Sequence, residues 1–362
     1  MIHFGDSPKV RKEWSIKSKK EESVTMHQIP VTRGSCLLFA VFASAITWDW
    51  NTPVDGVGLT QPTAQLVQHH GTAPSPFDLS QASVPENEIR SGGPAKDGIP
   101  ALSNPKFVGA TDADFMEDDD RVIGLVSNNE ARAYPLAILN YHEIVNDRIG
   151  ELPIAVTYCP LCDSAAVFDR RTPLGEREFG VSGLLYNSNV LIYDREGKTQ
   201  SLWSQLKAEG ISGPAVGQAL TSLPFELTTW KNWVTRYPDT QVLDDETGHP
   251  RNYRRNPYSN YFSSPKLMFP VALKSDAMPI KTPVLGVWTD RAARVYKTEM
   301  FSADRRRISD QLDGKKFTIE YNPNSRNLRV LDQDPGIRWM YSLWFAWYAF
   351  HPDTEVFGVP QP

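Results

Sequence analysis

The chain has 362 residues, of which 40% are hydrophobic, 22% charged and 11% aromatic, a composition that excludes global disorder. A net charge of -5 with scattered Lys and Arg leaves no basic stripe for nucleic acid or for an anionic membrane. The length allows two average domains, or one large domain behind non-globular sequence.

Residues 1–25, with Lys17, Lys19 and Lys20, are polar and lack apolar periodicity, as expected of an unstructured extension or a misassigned start. From Met26 the pattern changes. Arg33 precedes an apolar run over 36–46, and Ala43-Ser44-Ala45 supplies small residues at the spacing a signal peptidase accepts. A signal peptide over 26–45 follows, with a mature chain starting near Ile46 and export to the periplasm or beyond. A buried strand or core helix is the alternative. The run falls short of the roughly 20 apolar residues that span a bilayer, and no later segment reaches that length, so the mature protein carries no membrane span. No cysteine directly follows the small residues, so no lipid anchor is indicated. Cys36 leaves with the leader, which keeps Cys159 and Cys162 in the mature chain.

Residues 46–105 are rich in Pro, Gly, Ser, Thr and Gln and read as linker and surface coil, with His69 and His70 a solvated pair. A globular domain is expected over 106–362. The acidic run 117–120 is a solvated turn. Short β-rich runs follow at 122–126, 154–158, 165–168, 183–185 and 190–193. Helices are expected from Pro135 to about Val145, and from a Thr228 cap through Trp233. The fold class is therefore α+β with strands dominating.

Two segments repeat, 121–169 and 283–332. Val122-Ile123-Gly124-Leu125 matches Val284-Leu285-Gly286-Val287, and Tyr134 and Tyr296 stand equally far beyond the two glycines. Asp147 through Tyr158 then aligns with Asp310 through Tyr321 without a gap. Pro160 answers Pro323, and Asp169 answers Asp332. Each unit leaves an apolar face that needs a partner, so two units packed in one large domain is the expected architecture.

The chemistry gathers near Cys159-Pro160-Leu161-Cys162. Ala133-Tyr134-Pro135-Leu136, Asn140-Tyr141-His142-Glu143, Thr157-Tyr158-Cys159-Pro160-Leu161-Cys162, Gly180-Val181-Ser182-Gly183 and Ser201-Leu202-Trp203-Ser204-Gln205 together resemble the bacterial and archaeal family termed domain of unknown function 3179, over about 92–332. That resemblance implies no established activity. Asp163 stands where the family more often has Gly.

Two thiols three positions apart chelate a soft ion or close a strained, readily reduced disulfide. A buried structural pair is the third reading. The Cys-Pro-Leu-Cys sequence is similar to the reactive pair of glutaredoxin-like proteins, in which a helix lowers the first thiol's pKa. Here the following residues 163–169 read as a strand, which weakens that parallel. His142 shares an expected helical face with Ile138 and Val145, and is the nearest third ligand. Where the first unit has Cys159 and Cys162 the second has Asn322 and Ser325, and near the His142 position it has Asp304 or Arg305, so the three lapse together as one site would.

The leading expectation is an exported protein binding one copper or zinc ion through Cys159, Cys162 and His142, with one position left open. The alternatives are a thiol–disulfide oxidoreductase using Cys159 and Cys162, and a non-catalytic binding protein with a structural disulfide. Tyr141, Glu143, Tyr186, Asn187, Asn189, Trp203 and Gln205 are the candidate surrounding groups. No Gly-rich phosphate loop, nucleophile elbow or His-Glu-x-x-His helix occurs.

Overall fold

Val, Ile, Tyr and Phe crowd the alternating runs, and those runs form strands. The computed structural model describes residues 75–359. The expected extension 1–25, the signal peptide 26–45 and the His69-His70 pair lie outside the described residues. The chain joins the fold before the expected boundary at 106. Phe77 and Val84 are buried, β1 (Ile89–Ser91) pairs with a strand a hundred residues later, and β2 (Leu102–Ser103) and β3 (Phe107–Gly109) each edge a sheet. Proline and glycine in this stretch set turns between packed residues, which composition alone does not separate from linker.

A hairpin of β4 (Arg121–Ser127) and β5 (Glu130–Pro135) runs into α1 (Leu136–His142) and a meander of β6 (Ile144–Ile149), β7 (Leu152–Cys159) and β8 (Ser164–Asp169). The expected helix to Val145 is thus cut short. Glu143 takes a left-handed φ of 58°, its N–H caps the Leu139 carbonyl, and Val145 lies in a strand opposite Val156. A ribbon of β9 (Arg171–Thr172) and β10 (Gly175–Glu176) leads to a sheet of β11 (Phe179–Tyr186), β12 (Asn189–Asp194), β13 (Leu202–Ser204) and β14 (Glu209–Ser212), edged by β1. Next come β15 (Glu226–Thr229), α2 (Trp230–Arg236) and β16 (Gln241–Leu243). Thr229, not Thr228, holds the N-cap position of α2, as the last residue of β15.

Segment 244–282 carries only α3 (Ser259–Ser263). The chain then forms β17 (Pro283–Trp288), β18 (Ala293–Tyr296), β19 (Arg307–Leu312), β20 (Lys315–Asn322), β21 (Asn327–Gln333), β22 (Arg338–Leu343), α4 (Trp344–Phe350) and β23 (Glu355–Val356). The architecture is α+β and strand-dominated, built on several sheets. Among the described residues no helix is long and apolar enough to cross a membrane.

Two sheet segments have matching pairings. In one, β15 lies antiparallel to β4, Gly124 faces Ala133 on β5, and β16 runs parallel to β5. In the other, β22 lies antiparallel to β17, Gly286 faces Val295 on β18, and β23 runs parallel to β18. Trp233 covers Gly124 and donates to Thr240, while Trp347 covers Gly286 and donates to Thr354. Arg132 and Tyr134 converge on Asp147, and Arg294 and Tyr296 converge on Asp310.

Candidate functional site

Cys159 ends β7 and Cys162 lies in the tight turn into β8, where Cys159 pairs with Ser164. Asp163 closes that turn at φ 47°, a left-handed position that favours glycine and that Asp also tolerates. Its carboxylate accepts two bonds from Arg121, at 2.9 and 3.1 Å, and one from the Tyr158 hydroxyl at 2.9 Å. The departure from Gly therefore places a side-chain anchor under the turn. A strand follows the cysteines, so no helix dipole acts on either sulfur.

The sulfurs are held by hydrogen bonds from a second sheet. Asn187 and Ser188 turn between β11 and β12 with φ of 49° and 63°, and the Ser188 carbonyl accepts from Cys162 Sγ at 3.2 Å and from Cys159 Sγ at 3.8 Å. Asn189 Nδ2 donates to Ser164 Oγ and Gln205 Oε1, and its Oδ1 accepts from the Leu206 N–H. Gln205 Nε2 in turn donates to Thr157 Oγ1 at 3.0 Å. This network is fully buried with its polar groups satisfied, the condition under which buried polar groups specify one arrangement.

Both thiols are free and buried, Cys159 being 1% and Cys162 0% exposed. Burial pushes Cys159 up, but hydrogen bonds from the Cys162 thiol and from the N–H groups of Cys162, Val190 and Leu161 outweigh it and hold the thiol below its usual value. Burial and the same bond to Cys159 push Cys162 well above the thiol range.

Segment 244–282 covers the pair. Tyr261 donates from its hydroxyl to the Leu161 carbonyl at 3.0 Å, Ser188 Oγ donates to the Phe269 carbonyl at 2.7 Å, and the Ala272 N–H donates to Asn187 Oδ1 at 2.8 Å. Tyr258, Leu267, Phe269 and Ile280 pack on the apolar cluster that contains both cysteines.

Glu143, buried at 8% exposure, is close enough to Cys159 for charge on one to be felt by the other. Its carboxyl has no hydrogen-bond partner among the described residues. Burial, and then Cys159, push it up to about 8. Tyr258 is likewise pushed up, by burial and by Glu143 and Cys159.

Both ring nitrogens of His142 are engaged by groups other than the sulfurs. Its Nδ1 lies 2.7 Å from the Pro100 carbonyl, which can only accept, so Nδ1 carries the proton. Nε2 then accepts from the Tyr253 hydroxyl at 2.6 Å. Burial lowers the imidazole to about 4, with His249 and Arg251 adding to the effect. Among the described residues no group of three or more His, Cys, Asp or Glu is placed to hold a metal ion. Of the other expected groups, Glu143, Asn187, Asn189 and Gln205 do gather at the thiols. Tyr141 donates to the Arg255 carbonyl, Tyr186 packs edge-on against Phe350, and Trp203 donates to Asp194. The Ser188 carbonyl, Thr157, Ser164 and the covering segment had no place in the sequence reading. Polar Thr157 and Ser164 inside apolar strand runs were the available signal.

The family model described as "Protein of unknown function (DUF3179)" matches residues 96–338. The chain belongs to this family. Its match takes in the thiol pair, the hairpin that holds it and the covering segment. No curated protein and no solved structure matches the chain.

Proposed function

We propose that the protein is a thiol redox enzyme that cycles Cys159 and Cys162 between dithiol and disulfide. The observation that carries this reading is the placement of the pair: two free, buried thiols at the two ends of the tight β7–β8 turn, both within reach of the Ser188 carbonyl. In the oxidising direction Cys159 attacks the oxidant first, and Cys162 then attacks the Cys159 sulfur, closing the disulfide and expelling the group that Cys159 carried. Asn189 and Gln205 hold the geometry, and Asp163 anchors the turn.

A copper or zinc ion on the same two sulfurs is the second reading. For His142 to complete that site, it would have to give up its bonds to Pro100 and Tyr253. One experiment separates the two readings. Reduced, metal-free protein is titrated with diamide while free thiols are counted by mass spectrometry. The redox reading expects loss of two thiols, recovered by a dithiol and absent in Cys159→Ser. A protein that resists oxidation yet takes up one equivalent of copper(I) or zinc overturns it in favour of the ion.

Two further readings accompany the proposal. The matching pairings of β4, β5, β15 and β16 with β17, β18, β22 and β23, together with a sequence register that needs one inserted residue in the second unit, support descent of both units from one duplicated ancestor. Export rests on the leader-like run alone. Terminal sequencing of the mature protein tests it, and a product that retains residues 26–45 ends that reading.

A further inference from the structure

We infer that the cavity between segment 266–280 and α4 binds a free single-chain amphiphile with an anionic head, of which a medium-chain fatty acid is the simplest. The site does not depend on the redox reading. A cavity of about 520 Å³, within the range of small-molecule sites, is lined by Leu267, Met268, Phe269, Val271, Ile280 and Phe345. Leu267, Phe269 and Ile280 are only half-buried and Met268 is 41% exposed, so apolar surface stands open there on a stretch without helix or strand. Its walls are pinned. The Phe269 carbonyl accepts from Ser188 Oγ at 2.7 Å, and the Ala272 N–H donates to Asn187 Oδ1 at 2.8 Å. The Ser275 carbonyl accepts from Trp344 Nε1 at 3.3 Å, and the Ile280 carbonyl from the Phe345 N–H at 2.9 Å. A stretch tied to the body along its length is held from collapsing onto the hollow, so the hollow is preformed for a ligand.

The charge around the cavity selects the ligand. Lys266 and Lys274 also line it, both exposed, and no carboxylate among the described residues does. The lysine ion pairs among the described residues are Lys207–Glu209 and Lys231–Asp118, so neither ammonium at the cavity is committed to a partner within the chain. Inside, Ser275 is the uncharged polar side chain of the lining, and its hydroxyl already accepts from the Ala277 N–H. A ligand polar along its body would lose water there without replacement, whereas an alkyl chain gains by leaving water. A carboxylate at the mouth meets two ammonium groups while it stays partly hydrated. A cationic head would be repelled. The enclosed volume suits one short chain and not the paired long chains of a membrane lipid, which favours the free amphiphile over a membrane surface.

The test titrates the full-length protein by calorimetry with hexanoate, octanoate and decanoate below their micellar concentrations, with decanol and decyltrimethylammonium as controls of equal chain length. Affinity is expected to tighten about fourfold for each added methylene. Decanoate should bind about tenfold tighter than decanol, and added salt should narrow that gap. Lys266→Gln combined with Lys274→Gln should close the gap and leave decanol binding as it was, which also shows that the variant is folded. Hydrogen exchange with decanoate bound should reveal added protection over 266–280 and in α4. Affinity that does not grow with chain length, decanol or decyltrimethylammonium binding as tightly as decanoate, or protection confined to other segments each overturns the inference. Binding to phosphatidylglycerol vesicles without binding to monomeric decanoate overturns it in favour of a membrane surface. None of these readouts involves the thiols, so failure of the redox reading and failure of this one are separately visible.

Discussion

His142 and Glu143 are chain neighbours, and the fold keeps both uncharged, with opposite consequences for stability. The His142 value falls to about 4 in the native state, below that of the unfolded chain, so its contribution is present above about pH 6.5 and is lost as pH falls toward 4. The Glu143 value rises to about 8, so its contribution is present below about pH 4.5 and is lost as pH rises toward 8. Glu143→Gln should therefore unfold like wild type near about pH 4 and be more stable by roughly 3–5 kcal/mol near about pH 9. Urea melts in a Cys159→Ser background, which removes the neighbouring thiolate, measure this. A variant weaker at both pH values would mean that the carboxyl is a structural partner. Sequence pattern led to Cys159, Cys162 and Glu143, and grouped His142 with the sulfurs because all three lapse together in the second unit; the ring nitrogens bond Pro100 and Tyr253 instead. The helix ends at His142, the face shared with Val145 does not exist, and the left-handed φ at Glu143 has no sequence signature in a residue that rarely adopts it.

At the scale of elements, the glycines of β4 and β17 hold the two hairpins against their helices. A Cβ on Gly124 would stand 2.3 Å from the Trp233 ring, and one on Gly286 would stand 2.2 Å from Trp347. Both indoles are buried and bonded to a threonine hydroxyl, so they have little freedom to withdraw. Gly124→Ala and Gly286→Ala should each cost about 2–3 kcal/mol, and Gly109→Ala, whose nearest neighbour would be 3.5 Å away, about 1 kcal/mol or less. Chemical denaturation midpoints decide, and equal values for all three would mean that the indoles move aside. The glycines themselves were legible as matched positions in two apolar runs. The reason for them was not, because a period of two reports which face of a strand is buried, but not which distant ring covers it.

At the scale of the molecule, the two β-meanders share a turn but only one carries a cysteine pair. Cys159 faces Ser164 across the first turn as Asn322 faces Asn327 across the second, so the hairpin geometry is common to both. What differs is the chain that follows. Residues 170–225 intervene between β8 and β15 and bring Ser188, Asn189, Val190 and Gln205 onto the sulfurs, whereas β21 passes to β22 after only a short turn. Local spacing made the paired hairpins legible, while the inserted sheet and the covering segment are contacts between distant residues and leave no period to read. If the insertion makes the chemistry, then moving the cysteines should not move the activity. A variant with Cys159→Ser, Cys162→Ser, Asn322→Cys and Ser325→Cys should show two thiols that alkylate alike, with pH dependence near the ordinary value of about 8.5. Wild type should show one thiol reacting at lower pH and one nearly inert. Iodoacetamide labelling across a pH series, resolved by peptide mass, reads both. Asn322 and Ser325 are only half-buried, so the new thiols remain open to reagent and an absent shift cannot be ascribed to poor access. A depressed thiol in the second turn would instead assign the asymmetry to the hairpin alone, and the inserted sheet would then be a cover and not the source of the reactivity.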